Sequence, residues 1–138
     1  MRAPPLAFVL LVLLVGSCRL LGWSDPWERV EGVAWELRSI EGQAPPPGVS
    51  VRLNFDAGGR LFGEAGASLF FGTYARSGRK GLRIGRIGSA RGTGPLEGVH
   101  QQERFLALLA DAQAFSLSSG ELVLLCEGTP ALRFVAEP

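Results

Sequence analysis

The chain has 138 residues, enough for one domain of ordinary size. Its 14 Lys and Arg against 13 Asp and Glu exclude a nucleic-acid-binding protein held mainly by charge, and one His with two Cys excludes most zinc, haem and iron–sulfur sites, so no cofactor is expected. With 46% hydrophobic residues the chain is not intrinsically disordered, and 19 Gly with 9 Pro suit short strands and turns better than a helical bundle.

Arg2 is the only charge before an apolar run over residues 6–15 (LAFVLLVLLV). Such a run is too short for a membrane-spanning helix, which needs about 20 residues. A positive start followed by a short apolar stretch is the pattern of a secretory signal. The run ends in Val15-Gly16-Ser17-Cys18. This resembles a bacterial lipobox, where the Cys is acylated and becomes the first residue of the mature protein. Residues 1–17 are therefore expected to be a lipoprotein signal peptide and Cys18 the lipidation site. The membrane is then a partner, and the location is the extracytoplasmic cell envelope. Simple cleavage after Ser17 and an uncleaved anchor through Trp23 are the alternatives; Arg19 and Gly22 interrupt the second. Acyl chains supply about 0.8 kcal/mol per buried methylene, so several hold a protein firmly. Removing residues 1–17 takes away Arg2 and no acid, leaving 13 bases against 13 acids. Cys126 is then alone and has no intramolecular partner.

Residues 18–32 read as a tether. Within it, Asp25-Pro26-Trp27-Glu28 can open a short helical turn, with Asp25 as cap, Pro26 at the first helical position and Glu28 reaching back. Trp23 and Trp27 could meet lipid headgroups, but packing onto the domain is the plainer reading. From Val33 the pattern has period two: Val33, Trp35 and Leu37 alternate with Ala34, Glu36 and Arg38. Residues 43–48 (QAPPPG) cannot join a ladder and form a loop. Val49, Val51, Leu53 and Phe55 mark the clearest strand, and Asp56-Ala57-Gly58-Gly59 a hairpin turn. Strands follow over 60–64 and 69–75. In 82–87 the parity faults: Leu82 and Ile84 share a face that Ile87 does not, with Gly85 between as a candidate β-bulge. Residues 88–98 form a loop. Phe105, Leu108, Leu109 and Ala112 follow helical spacing, predicting one helix over about 99–112. Strands over 114–117, 121–126 and 131–135 close the chain. The reading is α+β, mainly β: a curled antiparallel sheet or partly open barrel of about eight strands with one packed helix, spanning 33–138. Its expected core is Trp35, Leu37, Val51, Leu53, Phe55, Phe105, Leu109, Leu122, Leu124 and Phe134.

This layout resembles the META domain, the family of the bacterial heat-shock protein HslJ. Trp35, Leu37, Ile40 and Gly42 match its opening W-x-L-x-x-I-x-G. Phe55, Gly59 and Leu61 match F-x-x-x-G-x-L. Gly63, Gly66, Phe70, Gly72 and Tyr74 match the central G-x-x-G-C-N-x-Y-x-G-x-Y. Glu103, Phe105 and Leu109 match the helix motif E-x-x-F-x-x-x-L within a shift of one or two positions, and Leu122, Leu124, Leu132 and Phe134 fit the closing hairpin. The sequence departs from the family where its cysteines fall: Ala67 and Ser68 replace the Cys-Asn pair, and the second Cys position falls near Gly94, with Ala90 for the Thr. Any thiol chemistry of the family does not carry over. The resemblance implies a curled antiparallel sheet with one helix and an envelope or stress role, and it gives no catalytic residues.

Other constellations are weak. His100 would need a nucleophile and a carboxylate; Ser89 and Asp111 are available, but no motif places them, and a solvated loop His is the simpler reading. A metal would have to be held by carboxylates and that single His, with no EF-hand-like run. The Gly-rich basic stretch 85–94 lacks P-loop spacing. Glu64, Glu97 and Glu103 are not paired by any motif. The charge pattern says more. Residues 65–96 contain no Asp or Glu but carry Arg76, Arg79, Lys80, Arg83, Arg86 and Arg91. These read either as a surface for an anionic partner or as a solvated face balanced by neighbouring strands. The expected function is a non-catalytic, lipid-anchored envelope protein that binds or gives structural support under stress. A lipocalin-like carrier of a small apolar ligand is the alternative, and an enzyme of unrecognised type a third.

Overall fold

A computed structural model describes residues 24–66, 68–90 and 96–138. Among them are nine strands: β1 (Ala34–Ile40), β2 (Val51–Asp56), β3 (Arg60–Ala65), β4 (Ser68–Ser77), β5 (Gly81–Ile84), β6 (Gly88–Ser89), β7 (Ala114–Ser118), β8 (Glu121–Cys126) and β9 (Thr129–Ala136). One α-helix, α1, spans Leu96–Ala110. The strands neighbour one another in the order β3-β2-β1-β9-β8-β7-β5-β4, and β3 pairs with β4 as well. That last pairing, from Arg60↔Thr73 to Ala65↔Ser68, closes an eight-stranded antiparallel barrel. Closure removes the free sheet edges that an open sheet would expose. The thinnest join is β5 to β7, with the single registered pair Gly81↔Ala114. It is held by Leu82 N–H on the Gln113 carbonyl and Phe115 N–H on the Lys80 carbonyl, each at 2.9 Å.

The parity fault in 82–87 has a structural counterpart. Tyr74 faces Ile84 and Phe71 faces Gly88, so three steps on β4 oppose four on its partner. One residue is extra, the bulge splits β5 from β6, and the count rises from about eight strands to nine. The helix starts three residues ahead of the expected boundary and ends at Ala110. Ala112 is buried beyond that end, where its N–H donates to the Leu109 carbonyl at 3.2 Å.

All ten expected core residues are buried in one cluster. The alternation in β2 places Val51, Leu53 and Phe55 inward and Arg52 outward, as pleating requires. Two aromatic groups fill the barrel. Phe105 of α1 meets Phe70 and Phe134 edge-on, with centroids 5.6 and 6.3 Å away. The second group is built around Trp27. It lies within the segment expected to be a tether, yet it is 1% exposed and packs on Phe55, Tyr74 and Phe115. Phe70 and Tyr74 both point inward from β4, four residues or about 13 Å apart, so the groups occupy different levels of the barrel. The ordered domain therefore begins ahead of Val33. A short 3-10 helix (Pro26–Arg29) with Asp25 as its cap inserts Trp27 and Val30 into the core. Asp25 Oδ1 accepts from the Trp27 N–H at 3.1 Å.

Gly63 marks the closest backbone approach in the wall. A Cβ there would overlap the Arg52 carbonyl and stand 2.9 Å from the Phe70 ring.

Candidate functional site

The basic residues singled out by sequence fall into three groups. Arg76, although exposed, is engaged: it pairs with Asp25 at 3.0 Å and with Glu31, and its guanidinium lies 5.3 Å over the Trp27 ring. Glu31 also accepts from the Tyr74 hydroxyl. Burial, then the Glu31 hydrogen bond and charge, push the Tyr74 phenol well above its ordinary range. This cluster ties the 3-10 helix to the rim of β4, and Arg76 serves it rather than a surface patch. The second group is outward: Arg79 and Lys80 in the β4–β5 turn, Arg83 on β5 and Arg86 on the bulge are all exposed. Among the described residues, none of these four is in an ion pair, whereas Arg52, Arg76, Arg104 and Arg133 all are. Arg91 lies outside the described residues, as do Cys18 and the family-like position Gly94. So does Ala67.

A cleft of about 710 Å³ opens where β5 parts from β7, beside the end of α1. Arg83, Asp111, Gln113, Cys126 and Glu127 line it. The alternation Leu122, Leu124, Cys126 predicts a buried, slow-reacting thiol at Cys126. It is half-buried instead, because a register shift between Leu124 and Leu125 breaks that alternation. Its thiol donates to the Leu108 carbonyl at 3.3 Å. Burial first, then the carboxylates of Asp111, Glu41 and Glu127, push its pKa up. A raised thiol pKa disfavours the thiolate, which is the nucleophilic form.

His100 is exposed on α1 and lines a separate groove of about 300 Å³ with Ile40, Pro46 and Arg104. Asp111 follows eleven residues later, just past the end of the same helix. At 1.5 Å per residue that is about 16 Å, so the two do not form one site. Among the described residues, no three His, Cys, Asp or Glu side chains come together as metal ligands.

The feature that sequence reasoning missed is an apolar surface on the outside of the barrel. Phe62 is 47%, Leu69 64% and Phe71 65% exposed. Phe62 and Phe71 are direct cross-strand partners on β3 and β4. They border a shallow groove of about 450 Å³ that also touches Arg52, Asn54 and Glu137.

The closed barrel and the single helix docked through Phe105 define a small, mainly β barrel module. The META domain signature spans residues 28–138, and the chain belongs to the META domain family. It is similar in fold to a protein from Burkholderia xenovorans solved by NMR. The TM-score is 0.61 at 19% identity, over 80% of this chain and 85% of that one. A second NMR structure gives a TM-score of 0.62 at 14% identity, over 78% and 92%. A crystal structure of a DUF4847 family protein from Bacteroides vulgatus gives 0.55 at 16% identity, over 78% and 94%. No curated protein matches the sequence at significance.

Proposed function

We propose that this META-family protein is a non-catalytic, lipid-anchored component of the bacterial cell envelope, acylated at Cys18, whose domain binds an anionic partner. The observation that carries the reading is the set of four exposed bases, Arg79, Lys80, Arg83 and Arg86, in a stretch without acids and outside the ion pairs of the described residues. Arg79, Lys80 and Arg83 cluster around one turn. Charges within a Debye length, about 8 Å at physiological salt, reinforce one another. Each base near an anionic lipid surface contributes about 1 kcal/mol. The filled barrel weighs against the carrier reading: Trp27, Phe55, Phe70, Phe105 and Phe134, all nearly inaccessible, take the space a lipocalin-like ligand would need.

Two experiments test the proposal. Cys18→Ser should release the protein into the soluble fraction or leave an unprocessed precursor; unchanged mass and membrane retention would refute the anchor. Replacing Arg79, Lys80 and Arg83 with Gln should weaken association with envelope extracts at low salt. Binding that is unchanged, or insensitive to salt in the parent, would return these residues to a solvated face.

A further inference from the structure

We propose that the outer face of β3 and β4 bearing Phe62, Leu69 and Phe71 is a membrane-contact surface that lies against an anionic lipid leaflet. The proposal deepens the reading above: it rests on the anchor to supply the bilayer, and it names the partner and the residues that enter it.

Three large apolar side chains, each about half or more exposed, sit together on a barrel whose other large apolar residues, among the described ones, are buried or partly buried. Contiguous apolar surface of this kind marks an interaction site, whereas single exposed residues do not. Its frame is flat and small on one side, since Phe71 faces Gly88 of β6 across the ladder. The remaining outward positions of β4, Thr73, Ala75 and Ser77, carry no charge. Around the apolar set stand bases. Arg60 shares the outward face of β3 with Phe62, two residues away, and Arg86 lies on the bulge against Gly72. Neither is in an ion pair among the described residues. The acids near this face are Glu64, opposite Leu69, Asp56, opposite Arg60, and Glu137, which lines the same groove and is paired with Arg52; none of them lies on β5 or β6. An aromatic and aliphatic centre with bases at its border matches an interfacial surface, where apolar groups enter the acyl boundary and bases meet lipid phosphates.

The anchor segment enters the domain beside β4. Asp25 is fastened to Arg76 on β4, five residues along the strand from Phe71, or about 17 Å. Asp25 lies seven residues after Cys18, and such a segment spans at most about 25 Å. Acyl chains at Cys18 therefore hold the Arg76 end of β4 within that distance of the lipid.

The test uses the full chain, processed and acylated, bound to vesicles of phosphatidylglycerol and phosphatidylcholine containing doxyl-labelled lipid. Cys126→Ala removes the other thiol. An environment-sensitive fluorophore is placed at Thr73→Cys on β4 or at Arg133→Cys on β9, across the barrel. The label at 73 should be quenched by the doxyl lipid and the label at 133 should not. Phe62→Ser with Phe71→Ser should weaken that quenching about tenfold without lowering the melting temperature, since both side chains are exposed. Vesicle-bound protein whose label at 73 stays as wet as that at 133 overturns the proposal and leaves the anchor standing. Shielding at 73 that needs no vesicles and grows with protein concentration also overturns it, assigning the face to contact between two copies. Shielding that appears when vesicles are added to Cys18→Ser protein supports the face, and a parent whose mass is that of its unmodified sequence removes the anchor instead.

Discussion

Trp27 decides whether residues 24–32 belong to the domain or merely lead to it. Its ring stacks on Tyr74 with centroids 5.4 Å apart and meets Phe115 and Phe55 edge-on at 4.8 and 6.2 Å. Truncating such a residue to Ala costs about 3–5 kcal/mol from lost transfer energy and the cavity left behind. Part of that is offset here. The Trp27 indole N–H is buried without a partner, and an orphaned donor of this kind costs about 1–3 kcal/mol. The lower end, about 3 kcal/mol, is therefore expected for Trp27→Ala. For a domain near 100 residues, each kcal/mol is worth about 4 °C or more, so the melting temperature should fall by about 12 °C or more. Trp27→Phe keeps an aromatic ring and removes the orphaned donor, so its cost should be about 1 kcal/mol. Thermal unfolding followed by circular dichroism measures both. A melting temperature unchanged in Trp27→Ala would show that the segment is only a tether and that the second aromatic group does not exist in solution.

Tyr74 is the only tyrosine, so phenolate absorbance near 295 nm reports it alone. Its folded pKa is raised above the ordinary value of about 10 by burial and Glu31, so its stabilising contribution is complete below pH 10 and is lost as pH climbs toward the folded pKa. Native protein should titrate later than urea-unfolded protein; coincident curves would refute the Tyr74–Glu31 contact. Cys126 should label slowly with a thiol reagent at neutral pH and at the ordinary rate once unfolded, since burial and three carboxylates oppose its thiolate. Labelling of the native protein as fast as of a free peptide would contradict its bond to Leu108. Gly63→Ala should destabilise by about 3 kcal/mol, the upper end for overpacking, because the clash is with the Arg52 backbone rather than a movable side-chain end. A neutral effect on melting would mean that β2 and β3 are further apart than their register indicates.

The strands were legible because period-two patterning and glycine-marked turns are local signals. Even the bulge could be read, since inserting one residue flips every later side chain, and that flip is visible as Ile87 falling out of phase with Ile84. The Asp25 cap and Pro26 start were also readable, being side-chain and backbone chemistry within three residues. The destination of Trp27 was not. A single aromatic in a short turn has no period, and only the closed ring reveals the space between Phe55, Tyr74 and Phe115 that it fills. Closure itself was hidden for the same reason: β3 and β4 are joined by a short turn, which suits an open meander equally well, and their pairing makes a ring only because β5 also meets β7, through one registered pair.

The candidate site shows the limits of counting charges along a chain. Arg76 stood among six bases in an acid-free stretch, but Asp25 and Glu31, 51 and 45 residues away, lie against it in the fold. Its even position on β4, shared with Phe70 and Tyr74, puts it at the rim of the wall, where Asp25 and Glu31 of the N-terminal segment pair with it. The odd positions tell the opposite story. Leu69 and Phe71 lie in a run of four apolar or small residues, 69–72, with Tyr74 beyond Thr73, where either parity could be taken as the core face. Phe62 flanks Leu61 in the same ambiguous way. Burial resolves the choice: Leu61, Phe70 and Tyr74 go inward, and Phe62, Leu69 and Phe71 are left facing solvent. A strand that is apolar on both faces ordinarily needs cover on both. Here the inner face has α1 and the barrel interior, and among the described residues nothing of this chain covers the outer one. In the proposed membrane contact the bilayer supplies that outer cover, within the reach that the segment from Cys18 to Asp25 allows.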